Sequence, residues 1–316
     1  MARAYLSPRR TRATQAKTWA VRACVIFNPV ARGEKARRFR RQLDAIGTTC
    51  ALKKTTALGD AQRLAAEAVR EGYELVIAAG GDGTVNEVLN GIGDAPDGFA
   101  HACLGVLPLG TANVFARELG LPLDVEKAWA IIRNGSETRI DLPCVEFLAN
   151  GVQQRRYFAQ LAGAGLDARA IELVSWPLKK KIGPLAYVLA GLKALTKALP
   201  QIRASNGTRD ATGELILIGN GRLYGGNYRL LPQADLRDGL LDVCVFPRAG
   251  WLTLARCGLP LLACGKIPDG VAQRFQAETF TLTSESPVSF ELDGELIGHL
   301  PATFSVARGR LRVLVP

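Results

Sequence analysis

The run Glu74-Leu75-Val76-Ile77-Ala78-Ala79-Gly80-Gly81-Asp82-Gly83-Thr84-Val85-Asn86-Glu87 decides the fold. Glu74–Ala79 reads as a short buried strand, the glycines as a loop, and Thr84–Ile92 as a helix with apolar residues at helical spacing. Strand, Gly-rich loop and helix in that order leave backbone N–H groups free to meet an anion such as a phosphate. The loop has neither the GK[ST] of a Walker A sequence nor the glycine spacing of a dinucleotide fingerprint. Asp82 is its informative residue. A carboxylate beside phosphates repels them unless it binds a divalent ion, directly or through water, or is held by loop N–H groups. The plainer alternative is a tight turn whose Asp caps the helix.

Outward from this run, the pattern alternates. Before it come a strand at Ala23–Asn28, a helix at Glu34–Ile46, a strand at Cys50–Thr55 and a helix at Asp60–Glu71. After it come a strand at Cys103–Pro108, helices at Asn113–Leu119 and Val125–Arg133, and a strand near Thr138–Phe147. Such a series predicts a parallel sheet covered by helices. Asn28-Pro29 with Gly33 closes the first strand, and Leu109-Gly110-Thr111-Ala112-Asn113 repeats the strand, loop and helix order. Two such loops at one sheet edge define a crevice of the kind in which open α/β folds bind ligands, and Thr55 would point at the same edge.

Beyond about Asn150 the texture changes to short β-rich segments separated by turns: Tyr157–Ala162, Glu214–Gly219, Leu240–Phe246, Ala277–Thr283, Val288–Leu292, Thr303–Ala307 and Arg310–Val315. They predict an antiparallel sandwich or barrel, interrupted by one helical insertion around Leu185–Leu199. Gly219–Gly226 reads as a loop lining a cleft. The expected division is a basic disordered arm at 1–22, an α/β domain at 23–148 and a β-rich domain at 149–316.

A chain of 316 residues with 48% hydrophobic and 22% charged residues is long enough for two cores, which excludes a small disulfide-stapled module and a largely disordered protein. Its net charge of +11 draws it to anionic partners without choosing among nucleic acid, phosphates and acidic lipid. The basic residues are not interleaved with aromatics in a stacking pattern, so no nucleic acid is expected. Seven scattered cysteines without CxxC spacing fit the cytosol, and two histidines cannot easily build a His-rich metal cluster. No apolar run reaches the ~18–20 residues that span a bilayer.

In this order the motifs resemble the lipid kinases that share the diacylglycerol-kinase catalytic domain. The resemblance is carried by Asn28-Pro29, Gly80–Glu87, Leu107–Asn113, Gly163-Ala164-Gly165-Leu166-Asp167, Ile218–Gly221, Asp238-Gly239-Leu240-Leu241-Asp242 and Leu292-Asp293-Gly294-Glu295, and it spans about Ala23 to Pro316. It implies an N-terminal Rossmann-like α/β nucleotide-binding domain, a C-terminal, mainly antiparallel β-sandwich, and an active site in the interdomain cleft. The final segment, Thr303–Pro316, has the option of returning to the first domain. The implied activity is transfer of the γ-phosphoryl group of ATP to a lipid hydroxyl, with Mg²⁺.

By motif, nucleotide contacts fall on Asn28, Thr55, Gly80, Gly81, Asp82, Gly83, Thr84, Val85, Asn86, Glu87, Gly110, Thr111 and Asn113. The resemblance places Mg²⁺ on the Asp238 carboxylate and the carbonyls of Asp235 and Leu240. It places the proton acceptor on Glu295, with Asp293 beside it and Asp82 as an anchor. Asp167 would orient the acceptor headgroup or, equally, cap a helix at Ala168–Val174. Many relatives carry an acid where this chain has Val114, although sphingoid-base kinases lack it too, so the departure bears on which lipid is chosen.

A lipid substrate requires access to an anionic membrane surface. Trp176, Leu178, Lys179, Lys180, Lys181 and the apolar Leu185–Leu199 have the mixture that suits peripheral docking on the inner face of the membrane. An NAD kinase and a non-catalytic relative are the competing readings. Oligomeric state is left open, a homodimer among the options.

Overall fold

The computed structural model describes residues 21–31, 33–173, 185–196, 198–264, 267–268 and 270–316. Of the basic arm, only Val21 and Arg22 fall within these. Arg22 donates to the Glu71 carbonyl and lies 4.6 Å from the Tyr73 ring centroid, so it belongs to the folded domain. Trp176, Leu178 and Lys179–Lys181 lie outside the described residues.

The first body is built from β1 (Ala23–Phe27), α1 (Glu34–Gly47), β2 (Ala51–Lys54), α2 (Asp60–Arg70), β3 (Leu75–Gly80), α3 (Asp82–Asp94), α4 (Gly98–His101), β4 (Cys103–Pro108), α5 (Val114–Glu118) and α6 (Val125–Asn134). Strands β2-β1-β3-β4 run parallel. β1, β3 and β4 are covered on both faces, which is why they read as unbroken apolar runs and not as alternating ones. The register pairs Gly80 with Pro108, so the two glycine loops leave neighbouring strands at one level. At the same edge, Thr55 N–H donates to the Phe27 carbonyl beside Asn28.

There follow β5 (Ser136–Ala149), β6 (Val152–Tyr157), β7 (Leu161–Gly165), α7 (Leu166–Leu173), α8 (Leu185–Ala194), β8 (Ile202–Ser205), β9 (Asp210–Gly213), β10 (Leu215–Gly219), β11 (Leu223–Tyr224), β12 (Tyr228–Arg229) and β13 (Leu241–Phe246). The chain ends with α9 (Trp251–Cys264), β14 (Gln273–Ala277), β15 (Thr279–Thr283), β16 (Ser289–Leu292), β17 (Glu295–His299) and β18 (Ala302–Val315). β14-β13-β10-β7-β16-β17 form an antiparallel sheet. It packs on the β15-β8 part of the other sheet through Phe158, Phe280, Phe290 and Phe304. Burial of side chains this large stabilises by about 1.5–3 kcal/mol each.

The two bodies share one sheet. β18 pairs antiparallel with β15 and β5, then meets β4 in parallel at Val313 and Leu104. A register shift between Ala307 and Leu311, around the positive-φ Gly309, bends it from one body into the other. Ala277–Thr283, expected as one strand, divides at Glu278: β14 joins the six-stranded sheet and β15 the ten-stranded one. Likewise Tyr157–Ala162 is broken at 158–160 between β6 and β7. α7 begins at Leu166, so Asp167 stands in its first turn and does not cap it from outside.

Candidate active site

The nucleotide edge is defined by close backbone approach. A Cβ on Gly80 would collide with the Thr84 side chain, and one on Gly110 would lie 2.5 Å from the Gly81 Cα, so both loops need glycine to touch. Asn113, in the left-handed region at φ 50°, locks the second loop. Its Oδ1 accepts from Gly110 N–H at 2.9 Å and its Nδ2 donates to the Gly110 carbonyl at 2.7 Å. The side chain is therefore spent inside the loop, leaving Thr111 exposed at its tip. Gly110→Ala is expected to destabilise the fold by about 1–3 kcal/mol, because the clash is with backbone, and to weaken ATP binding at least tenfold. Wild-type melting and ATP affinity would show that the loops can separate.

The first turn of α3 presents N–H groups that no side chain caps. Asp82 Oδ1 accepts from Phe115 N–H at 3.2 Å, joining α3 to the start of α5. Burial pushes its carboxyl up, while the N–H groups of Phe115 and Val114 pull it down. The N–H groups that hold this acid belong to the first turn of α5.

Four other expected nucleotide contacts have partners within the protein. Val85 is in the core. Asn86 Nδ2 donates to Asp293 Oδ2 at 2.8 Å and to the Tyr157 carbonyl at 3.3 Å. Glu87 Oε2 accepts from Ala61 N–H at 2.9 Å, within the first turn of α2. Asn28 Oδ1 accepts from Val30 N–H at 2.9 Å, and Arg40 donates to the carbonyls of Pro29 and Ala31, so the turn after β1 is held from both sides.

From the second body, the Asp293-Gly294-Glu295 turn faces this edge. Asp293, at φ 49°, collects four donors: the N–H groups of Ala159 (2.7 Å), Gln160 (3.0 Å) and Leu161 (3.0 Å), and Asn86 Nδ2. Burial pushes its carboxyl up and these donors pull it down, the net being upward. With both oxygens engaged it holds the turn that carries Glu295. Glu295 opens β17 and reaches across the cleft, where its Oε1 lies 2.7 Å from the point a Cβ on Gly83 would occupy. The carboxylate of one body thus stands against the first turn of the helix that offers N–H groups from the other.

Two cations at this edge escaped the sequence reading. Lys35, one residue into α1, is pushed down by burial and then by the charge of Arg117. Arg117 Nε donates to the Ala112 carbonyl at 2.8 Å and its Nη1 to Asn227 Oδ1 at 2.8 Å. Cations that face each other beside glycine loops suit a polyanion between them. Glu118, also missed, accepts from Leu223 N–H, Gln160 Nε2 and Arg222 Nε at 2.9–3.1 Å, tying α5 to the Gly219–Gly226 loop. In that loop the Tyr224 hydroxyl donates to Asp167 Oδ1 at 2.7 Å.

Among the described residues no group of three His, Cys, Asp or Glu side chains is placed to hold a metal. The Asp235–Leu240 turn offers the carboxylates of Asp235 and Asp238 and backbone carbonyls. Asp238 Oδ1 accepts from Leu240 N–H at 2.9 Å. Its carboxyl is pushed up by burial and by the nearby charges of Asp235 and Asp141, against the pull of Leu240 N–H. Crowded all-oxygen donors fit a hard divalent cation. Asp141, another residue the sequence reading passed over, is fully buried and accepts from Gly239 and Gly309 N–H at 2.6 and 2.7 Å, fastening this turn to β18.

Residues 22–145 match the family described as the diacylglycerol kinase catalytic domain, and residues 160–315 the YegS C-terminal NAD kinase beta sandwich-like domain. A protein described as a YegS-like lipid kinase from Stenotrophomonas maltophilia is 34% identical over 85% of this chain and 88% of its own. A diacylglycerol kinase of Bacillus subtilis is 32% identical over 93% of this chain and 96% of its own. The crystal structure of a diacylglycerol kinase from Bacillus anthracis superposes with a TM-score of 0.74 at 22% identity, covering 95% of this chain and 99% of that one. Two glycine loops joined by backbone contact, a carboxylate laid across the cleft and the match along both bodies agree: the chain belongs to the diacylglycerol kinase catalytic-domain family of lipid kinases.

Proposed function

We propose that this protein transfers the γ-phosphoryl group of ATP to the hydroxyl of a neutral membrane lipid such as diacylglycerol. The observation that carries this reading is Glu295 standing against Gly83, which brings a base from the acceptor side to the N-terminus of the phosphate-binding helix. Phosphates meet the N–H groups of α3 and the side chains of Lys35 and Arg117. Glu295 takes the proton of the acceptor hydroxyl as its oxygen bonds to the γ-phosphorus, and the bond from that phosphorus to the β–γ bridging oxygen breaks to release ADP. Asp293 and Asn86 hold the turn that aims Glu295, while Asp167 and Tyr224 offer polar contacts to the acceptor. Mg²⁺, held by the Asp238 carboxylate and the carbonyls of Asp235 and Leu240, would supply positive charge near the cleft.

The partner surface is the anionic inner face of the cytoplasmic membrane, bound peripherally. No helix among the described residues is long and apolar enough to cross a bilayer. α9 instead exposes Trp251, Leu252 and Leu254 beside the exposed Arg248 and Arg256, the pairing of interfacial aromatic, apolar surface and cations that suits an acidic bilayer. Trp251→Ser with Leu252→Ser is expected to reduce co-sedimentation with phosphatidylglycerol vesicles about tenfold while leaving turnover of detergent-dispersed lipid unchanged. Equal sedimentation of variant and wild type would remove α9 from the docking surface.

The function itself is tested by following γ-labelled phosphate, with and without Mg²⁺, into a panel of diacylglycerol, phosphatidylglycerol, sphingosine, undecaprenol and NAD. A labelled lipid supports the reading and names the acceptor class. Label in NAD alone overturns it.

A further inference from the structure

Under the catalytic turn lies a second carboxyl that no motif singles out. Glu291, on β16, is 1% exposed, and its Oε2 accepts from Gly294 N–H at 2.6 Å, at the centre of the Asp293-Gly294-Glu295 turn. Its other oxygen, Oε1, is buried without a hydrogen-bond partner. Gly163 stands opposite Glu291 on β7, and a Cβ there would lie 2.9 Å from Glu291 Oε1 and would collide with Asp167 Oδ2. Both carboxyls therefore enter the space that this glycine leaves.

Local sequence explains the meeting. Gly165, at φ 82°, lets β7 pass directly into α7, which folds Asp167 back over Gly163 four residues earlier. Tyr224 then fixes the far side of Asp167. Burial first, and the charge of Asp167 second, push Glu291 well above the ordinary carboxylate range, which favours its protonated form. That proton gives Oε1 the partner it lacks, in Asp167.

We propose that Glu291 is a positioning residue for phosphoryl transfer: its buried carboxyl, set between Gly294 N–H and the Tyr224-bound Asp167, braces the turn that presents Glu295. The inference deepens the lipid-kinase reading and rests on it for its kinetic arm. The brace links the two sides of the reaction, since the hairpin of β11 and β12 that holds Asp167 is itself held by Glu118 and Arg117 of the nucleotide side.

Glu291→Gln keeps an acceptor for Gly294 and offers an amide donor to Asp167, so it is expected to retain kcat within about threefold. Glu291→Leu keeps the volume but leaves Gly294 N–H and the Oδ2 of Asp167 unpaired. It is expected to lower kcat by about 10²-fold with KM for ATP unchanged, because a base misplaced by about 1 Å costs that much. Tyr224→Phe, a change on a half-buried hairpin that removes the bond to Asp167, covers through its hydrogen exchange the case in which the Leu variant does not fold.

Hydrogen exchange at the Gly294 and Glu295 amides supplies a readout that needs no acceptor. It is expected to quicken at least tenfold in Glu291→Leu, or in Tyr224→Phe by about threefold, and to stay at the wild-type rate in Glu291→Gln. Unchanged exchange in Glu291→Leu or, where that variant does not fold, in Tyr224→Phe overturns the brace. So does a Gln variant as inactive as Glu295→Gln, which would show that an ionised carboxylate is needed at 291. A wild-type enzyme that labels no lipid would sink the lipid-kinase reading, and the exchange rates would still decide the brace.

Discussion

Glu295→Gln is expected to lower phosphoryl transfer by about 10²–10⁴-fold, the range that a positioned general base contributes. An aliphatic hydroxyl is protonated at neutral pH, so its proton needs a destination as the oxygen attacks. Glu295 is the acid that the second body lays against the first turn of α3, at Gly83. The amide has nearly the same shape, fits the same space and cannot take the proton. KM for ATP is expected to stay within about twofold, since the loops that meet the nucleotide are untouched, and the melting temperature should match the wild type. A folded Gln variant with wild-type kcat would remove Glu295 from the base role and direct attention to another acceptor in the cleft.

Asp293→Asn, one residue pair away, is expected to act through stability. Four N–H donors converge on two carboxylate oxygens, and the amide replaces one acceptor by a donor that faces donors. Leaving buried donors unsatisfied costs about 1–3 kcal/mol each, so a loss of roughly 3 kcal/mol or more is expected, read as a lower urea midpoint. Activity should fall with it, because the same bonds shape the turn that carries Glu295. The decisive contrast is between the two variants: Glu295→Gln stable and inactive, Asp293→Asn unstable. If Asp293→Asn were as stable as the wild type and inactive, Asp293 would rejoin the reacting groups.

The parallel sheet and both glycine loops were legible because their causes are local. An apolar run followed by closely spaced glycines admits few backbone paths, and Gly81 and Gly110 meet because equal strands end level. The functions of Asn86, Glu87 and Asp293 were not legible, since their partners lie far along the chain, 207 residues apart for Asn86 and Asp293. Motif position placed them at the right edge without saying which way they turn. Lys35, Arg117 and Glu118 look in sequence like ordinary helix-surface charges; the docking of α5 on the second body gives Arg117 and Glu118 partners there and the fold sets Lys35 near Arg117.

Division of Ala277–Thr283 between two sheets left even less trace, because both halves keep a strand's alternation. The apolar Trp251–Gly265 segment, broken by Arg256, could be read as not spanning a membrane but not as a helix that exposes Trp251, Leu252 and Leu254. Asp82 is the instructive case. Its charge argued for a cation or for N–H partners, and only the placement of α5 shows the latter.

The measurement that bears most directly on the central claim is incubation of the full-length protein with membrane lipid extract and γ-labelled ATP, beside the Glu295→Gln variant. The expected result is an organic-soluble labelled phospholipid whose mass exceeds that of a neutral lipid by one phosphate, made by the wild type and lost with Glu295. Label confined to a water-soluble product, or a lipid product formed equally by both proteins, would contradict a cleft in which Glu295 delivers a lipid hydroxyl to ATP.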